Sequence, residues 1–253
     1  MRDQLSLRLE PDVPVLPNLP ATLLPMLPRP IAEPFDSDAH LFEPSWGGLR
    51  ALAFIGPAEV AGDGDVTFVD GAGRSLSELP ELSGLAVRVD ARSAVLDGEL
   101  VVVGPDGLAD AAELGRRLDG LRGRPVAYLA FDLLHLDGRS MLSAPLARRR
   151  EALKRVLRPG DEVVAVPAIA GEGRALHEAA AAQGIAGVMA RQRSSPYLPG
   201  ITSRLWRFIP TLAPGAAAAA GGEQPESETP TAASAPVVAL IRRLPLLLSL
   251  IHI

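Results

Sequence analysis

The 253-residue chain contains no cysteine, which removes disulfide bonds, a thiol nucleophile and every cysteine-ligated zinc site at once. Lysine is almost missing too. Of 25 lysines and arginines only Lys154 is a lysine, so chemistry that requires a side-chain amine has one candidate in the whole chain. The four histidines, His40, His135, His177 and His252, stand alone with no companion at metal-ligand spacing, so no metal site is expected. No serine sits in a G-x-S-x-G elbow, and neither a G-x-G-x-x-G nor a Walker pattern occurs. A surplus of positive charge is also lacking: the net charge of -5 argues against a broad, sequence-independent grip on nucleic acid, leaving room only for a local basic patch.

What is present is the composition of a globular protein, 47% hydrophobic and 22% charged, long enough for one large or two small domains. Residues 1–22 mix proline and leucine without a basic start and an apolar centre, so they do not read as a secretory signal, and cytoplasmic residence is expected. Pro28, Pro30 and Pro34 punctuate an extended segment. Short apolar runs at 49–55, 66–69, 94–103, 126–134, 187–191 and 205–209 predict strands. Two stretches predict helices. Ser143 caps the first, over 144–157, with Leu146, Leu153, Val156 and Leu157 on one face; the second, 172–183, is closed by Gly184. Strands outnumber helices and are interspersed with them, which predicts an α+β domain over 23–210. A linker rich in Ala, Pro, Ser, Glu and Thr is expected over 211–236. The apolar tail 237–253 is broken by Arg242, Arg243 and Pro245 and falls short of the ~20 residues of a membrane span. Residues 248–253 resemble translated sequencing-adapter ends, so the natural chain is expected to continue differently there.

Several side chains invite a chemical reading. Asp97 and Glu99 are two apart in a strand run, so both carboxylates share a face and can bind a metal or work as acid and base; locally, Asp97-Gly98 reads as a hairpin turn. Phe131 is a stacking ring beside Asp132 or simply core. Arg148, Arg149, Arg150, Lys154, Arg155 and Arg158 form a basic helix face, either merely solvated or able to track phosphates.

The order of six fragments is more specific than any of them. Phe42-Glu43-Pro44-Ser45-Trp46-Gly47-Gly48-Leu49-Arg50 is followed by Val95-Leu96-Asp97-Gly98-Glu99-Leu100-Val101 and by Ala130-Phe131-Asp132-Leu133-Leu134. Then come Gly184-Ile185-Ala186-Gly187-Val188-Met189-Ala190-Arg191, Ser194-Ser195-Pro196-Tyr197 and Ser203-Arg204-Leu205-Trp206-Arg207. In this order and spacing residues 25–210 resemble the adenylation (nucleotidyltransferase) domain of ATP-dependent DNA ligases.

The resemblance implies a DNA-ligase-like, ATP-grasp-like α+β domain of antiparallel sheets with flanking helices. It also implies a lysine that attacks the α-phosphate of ATP, in the pattern Glu-x-Lys-x-Asp-Gly-x-Arg. Ser45 occupies that lysine place. The motif's aspartate falls on Gly47, an arginine expected near the nucleotide or DNA 5′-phosphate is missing from Asp70-Gly71-Ala72-Gly73, the metal-organising glutamate is Ala186, and the lysine closing that motif is Arg191. Two further lysines, at positions 208 and 210, are Phe208 and Pro210, with Arg207 nearby. By the same resemblance Glu43 and Phe131 meet adenine, Arg50 and Glu99 lie near the ribose, Arg191 and Arg207 are the remaining cations, and Trp206 is packing. No OB-fold is expected beyond residue 210.

These substitutions predict a nucleotidyltransferase fold with adenylation lost: a catalytically inactive nucleotide-binding or scaffolding protein linked to DNA repair and recombination, with ATP binding weak or lost, Mg²⁺ doubtful, and DNA or DNA-repair proteins as partners. The alternatives are an active ATP-dependent ligase with a non-standard nucleophile or a partner-supplied OB module, and an interaction module that binds neither nucleotide nor DNA.

Overall fold

A computed structural model describes residues 19–211. Most of the N-terminal extension, the expected linker beyond Thr211 and the apolar tail lie outside the described residues.

Within the described residues, eleven strands and four α-helices follow the chain in the order β1 (Leu27–Pro30), β2 (Ser37–Ser45), β3 (Leu49–Ile55), β4 (Val66–Asp70), α1 (Leu85–Arg88), β5 (Ala94–Val102), α2 (Ala111–Leu118), β6 (Val126–Leu136), β7 (Arg139–Ser140), α3 (Leu146–Val156), β8 (Val163–Ala165), β9 (Ile169–Gly171), α4 (Gly173–Ala182), β10 (Gly187–Gln192) and β11 (Thr202–Pro210). They form a five-stranded sheet, β1-β11-β10-β2-β9, and a six-stranded sheet, β4-β3-β5-β6-β7, with β8 paired to β6. Most pairs are antiparallel; β1 with β11 and β6 with β8 are parallel.

Period-two alternation decides what each sheet face meets. On β5, Ala94, Leu96, Leu100 and Val102 pack into a core with Ala51, Ala53 and Ile55 of β3 and with Ala152 and Leu153 of α3. The intervening Val95, Asp97, Glu99 and Val101 therefore turn toward the other sheet. There Leu52, Val95 and Leu134 pack with Trp206 and Tyr197. The outer side of the five-stranded sheet buries Phe42, Val188, Ala190 and Ile209 against Leu176, Ala179 and Ala180 of α4. Gly184 ends that helical segment with φ +68°, as the sequence predicts.

Two local expectations are corrected, and two elements form that the apolar runs do not predict. Asp97-Gly98 is not a hairpin: both residues lie inside β5, where a β-carbon on Gly98 would meet the Tyr128 ring at 2.5 Å. The glycine serves close packing, and the Tyr128 hydroxyl passes it to donate to Ala51 O at 3.0 Å. Ser143 does not cap α3, which starts at Leu146. Its first amides, Leu146 N and Ala147 N, instead donate to the carbonyls of Ser195 (2.9 Å) and Arg193 (3.0 Å). The extended segment before Gly48 contains β2, the central partner of β10, and α2 forms behind an Asp110 cap that accepts from Glu113 N at 2.9 Å.

Candidate functional site

Between the two sheets lies a cleft lined by Glu43, Pro44 and Ser45 of β2, Gly47, Gly48, Arg50, Glu99, Phe131, Val166, Met189 and Arg191. Strand register brings these together. Ser45 pairs with Gly187 and Glu43 with Met189 across β2 and β10, and Arg50 pairs with Glu99 across β3 and β5. On β6 the pairing with β5 shifts between Asp97 and Gly98. That bulge turns the neighbours Phe131 and Asp132 both toward the inter-sheet side, where strict alternation would have separated them.

Four ion pairs, centred on three carboxylates, lie in and beside the cleft. The Arg50 guanidinium grips Asp97 with two bonds of 2.6 Å, and the Tyr197 hydroxyl donates to the same carboxylate at 2.7 Å. Burial opposes the charge on Arg50, but the Asp97 carboxylate more than offsets this and holds the guanidinium firmly protonated. Burial and the same carboxylate push the Tyr197 hydroxyl well above its ordinary value. Arg149, fully buried, binds Asp132 with two bonds of 2.8 Å. Glu43 is shared: Arg150 donates to it at 2.6 Å and also to the Phe131 carbonyl at 2.9 Å, and Arg191 forms a second ion pair with it. Burial lowers Arg150 to about 10 and Arg191 to about 9, so both stay charged at neutral pH.

Glu99 is held differently. Its carboxylate accepts from Gly48 N and, at 3.5 Å, from Trp46 N, and burial raises its affinity for a proton despite those amides. Asp97 and Glu99 thus share a face, as their spacing requires, but they are separate groups, one neutralised by Arg50 and the other capping the turn after β2. Among the described residues no group of three or more His, Cys, Asp or Glu side chains is placed to hold a metal ion. The two places where the ligase pattern puts carboxylates are Gly47 and Ala186, and they are adjacent: a β-carbon on Gly47 would stand 3.0 Å from that of Ala186. These residues do not fit a divalent ion there.

Phe131 is both core and platform. It is 5% exposed, and the Arg191 guanidinium carbon lies 3.9 Å from its ring centroid, with that of Arg50 at 4.6 Å. Trp206 is close to the same two cations, 4.7 Å from Arg191 and 5.5 Å from Arg50. The cleft volume of about 130 Å³ is well under the ~300–1,000 Å³ of ordinary small-molecule sites.

Of the residues singled out in the sequence, Glu43, Ser45, Arg50, Glu99, Phe131 and Arg191 line this cleft. Arg207 does not. It follows the inward Trp206 on β11, so alternation sends it to the outer face, 5.1 Å from the Phe35 ring. Lys154 is exposed on α3 and is not among the lining residues. The basic helix face is split, because Arg149 and Arg150 are interior anchors rather than solvated side chains. The sequence signal for this is their spacing of three and four from Leu146, which puts them on that helix's buried face. Among the described residues no histidine lines the cleft with Ser45: His40, on the same strand, pairs with Ser37 at 2.9 Å, His177 contacts Pro210 O at 3.0 Å, and His135 lies on β6 opposite Val95 and Ser140.

Comparison with known proteins agrees with this architecture. The family model "ATP dependent DNA ligase domain" matches residues 58–208; the match begins after the strand that carries Ser45. A probable DNA ligase of Sorangium cellulosum is 35% identical over 161 residues, 59% of this chain and 30% of that protein. The multifunctional non-homologous end joining protein LigD of Mycobacterium bovis is 32% identical over 166 residues, 65% of this chain and 21% of that protein. The chain therefore spans less than a third of these relatives' lengths. Among solved structures, a mycobacterial DNA ligase D complexed with ATP and MES superposes with a TM-score of 0.63 at 29% identity, covering 74% of this chain and 60% of that one.

Proposed function

Because the chain belongs to the ATP dependent DNA ligase domain family, we propose that it is a DNA-ligase-like domain that does not adenylate itself and serves DNA repair and recombination as a non-catalytic nucleotide-binding or scaffolding partner. The observation that carries this reading is Ser45. It stands on the cleft wall where the ligase pattern requires a lysine, and the one lysine of the chain is exposed on α3.

The chemistry supports the reading. An amine attacking the α-phosphate gives a phosphoramidate that can pass AMP onward, whereas a serine hydroxyl needs a base to attack at all. Among the described residues no histidine lines the cleft with Ser45, and Glu99 is engaged with the amides of Trp46 and Gly48. Phosphoryl transfer depends on positioned positive charge and metal, and Gly47 and Ala186 supply neither. The cations that do line the cleft, Arg50 and Arg191, are each tied to a carboxylate. The link to DNA repair is supported by the likeness to end-joining LigD proteins, and ATP as the ligand by the likeness to a ligase structure complexed with it.

Incubation of the protein with ATP and Mg²⁺, followed by intact-mass spectrometry, tests the proposal. No added AMP is expected. An AMP adduct that disappears in Ser45→Ala or Lys154→Ala would overturn it in favour of an active ligase with an unusual nucleophile.

A further inference from the structure

The resemblance gives Phe131 to the adenine, yet the face of that ring is already covered. Arg191 reaches it from β10, on the inward side of the five-stranded sheet, with its guanidinium carbon 3.9 Å from the ring centroid. The geometry is that of a cation stacked on an aromatic face, an attraction that is strongest in a desolvated site such as this one. Two other contacts hold Arg191 there: the ion pair with Glu43 and the Trp206 ring 4.7 Å away. Glu43 in turn is fixed by Arg150, anchored through the Phe131 carbonyl to the opposite sheet. Arg191 is 1% exposed, so it is packed directly against these partners.

We propose that Arg191 decides what this cleft accepts: its guanidinium occupies the stacking face of Phe131 and closes the cleft to purines, so that the domain works without a bound adenosine nucleotide. This rests on reading the cleft as the counterpart of the ligase nucleotide site, and it chooses between the two roles proposed above, favouring the scaffold. A purine entering the cleft must displace a charge from both a ring and a carboxylate. The stacking it gains on Phe131 is then set against the loss of a contact of similar strength. The same side chain is one of those that line this small cleft.

Adenosine is the right probe, because it has no phosphate to interact with Arg191 and cannot form an adduct. Calorimetry of the 253-residue protein with adenosine is expected to show no binding, whereas Arg191→Ala or Arg191→Val gains affinity by about tenfold or more, the scale of one base–aromatic stack. The gain is expected to vanish in Phe131→Ala/Arg191→Ala. Thermal melts of each variant identify those that are folded, and the second Arg191 variant keeps the test open if the first is not. Adenosine binding by the unaltered protein, or a folded Arg191 variant with no gain, would overturn the proposal. An AMP adduct in the mass measurement would instead overturn the non-catalytic reading, so the two failures are distinguishable.

Discussion

Gly47 and Ala186 are in side-by-side contact, with only 3.0 Å between the Ala186 β-carbon and the place where a β-carbon of Gly47 would stand. In the ligase pattern both positions bear carboxylates. Two losses far apart in the chain therefore fall on one spot of the cleft wall. Gly47 has φ +82°, a conformation that side chains other than Asn and Asp seldom adopt.

This contact bears on the simplest attempt to restore activity. Ser45→Lys supplies the amine but leaves Gly47 and Ala186 without the carboxylates of the ligase pattern. With ATP and Mg²⁺, intact-mass spectrometry of Ser45→Lys is expected to show no added AMP. An adduct on the introduced amine would mean that positioning by the remaining residues suffices without either carboxylate, against the expectation that charge neutralisation dominates phosphoryl transfer.

How much of the molecule is legible in the sequence differs by element for physical reasons. Strands β3, β5, β6 and β10 are apolar runs between turn residues, and their hydrophobic pattern locates them within a few residues. Strand β2 carries Asp38, His40, Glu43 and Pro44 and has no such pattern; it is a strand because β10 and β9 pair with it on both sides. The cleft residues follow from motif order, since spacing along a strand fixes which side chains share a face. Arg207 shows the limit of motif order: adjacency to Trp206 places it on the opposite face. The Glu43–Arg150 pair spans 107 positions and no local pattern reveals it, although the burial of Arg150 follows from helical spacing.

The Arg50–Asp97–Tyr197 cluster gives a prediction for stability. Asp97 is wholly buried and accepts from both partners. Asp97→Ala leaves a mostly buried guanidinium without its counter-charge, which is expected to cost about 3–5 kcal/mol in urea unfolding. Tyr197→Phe removes only a hydroxyl that donates to Asp97 and accepts from Met26 N at 2.9 Å, so its cost should be smaller, about 1–3 kcal/mol. Equal costs for the two variants would show that Arg50 finds another partner or reaches water.

Gly98 gives a packing prediction. A β-carbon there would lie 2.5 Å from one Tyr128 ring carbon and 2.7 Å from Leu129 O, and the backbone carbonyl belongs to a central strand. Gly98→Ala should therefore destabilise the protein by about 1–3 kcal/mol through overpacking. Gly71 has nothing within 4 Å of the corresponding position, so Gly71→Ala, made in parallel, should stay within about 0.5 kcal/mol of the parent. The contrast, read from denaturation midpoints, separates close packing from a general intolerance of alanine in these turns and strands.

Glu99 gives a pH dependence with a definite sign. Burial raises its proton affinity above the ordinary value of 4.5, and the amides of Gly48 and Trp46 offset only part of that effect. The folded protein then holds this proton more tightly than the unfolded chain. Stability from Glu99 is full below pH 4.5 and is lost as pH rises through the folded value. Glu99→Gln keeps an acceptor for the turn and cannot ionise, so it should escape that loss. Urea unfolding of the two proteins between about pH 4 and 8 is expected to show Glu99→Gln gaining on the parent as pH rises, with the difference levelling once the parent is fully ionised. A difference that stays constant, or that shrinks with rising pH, would mean that the amide donors outweigh burial and that Glu99 is a stabilising carboxylate at the end of β2.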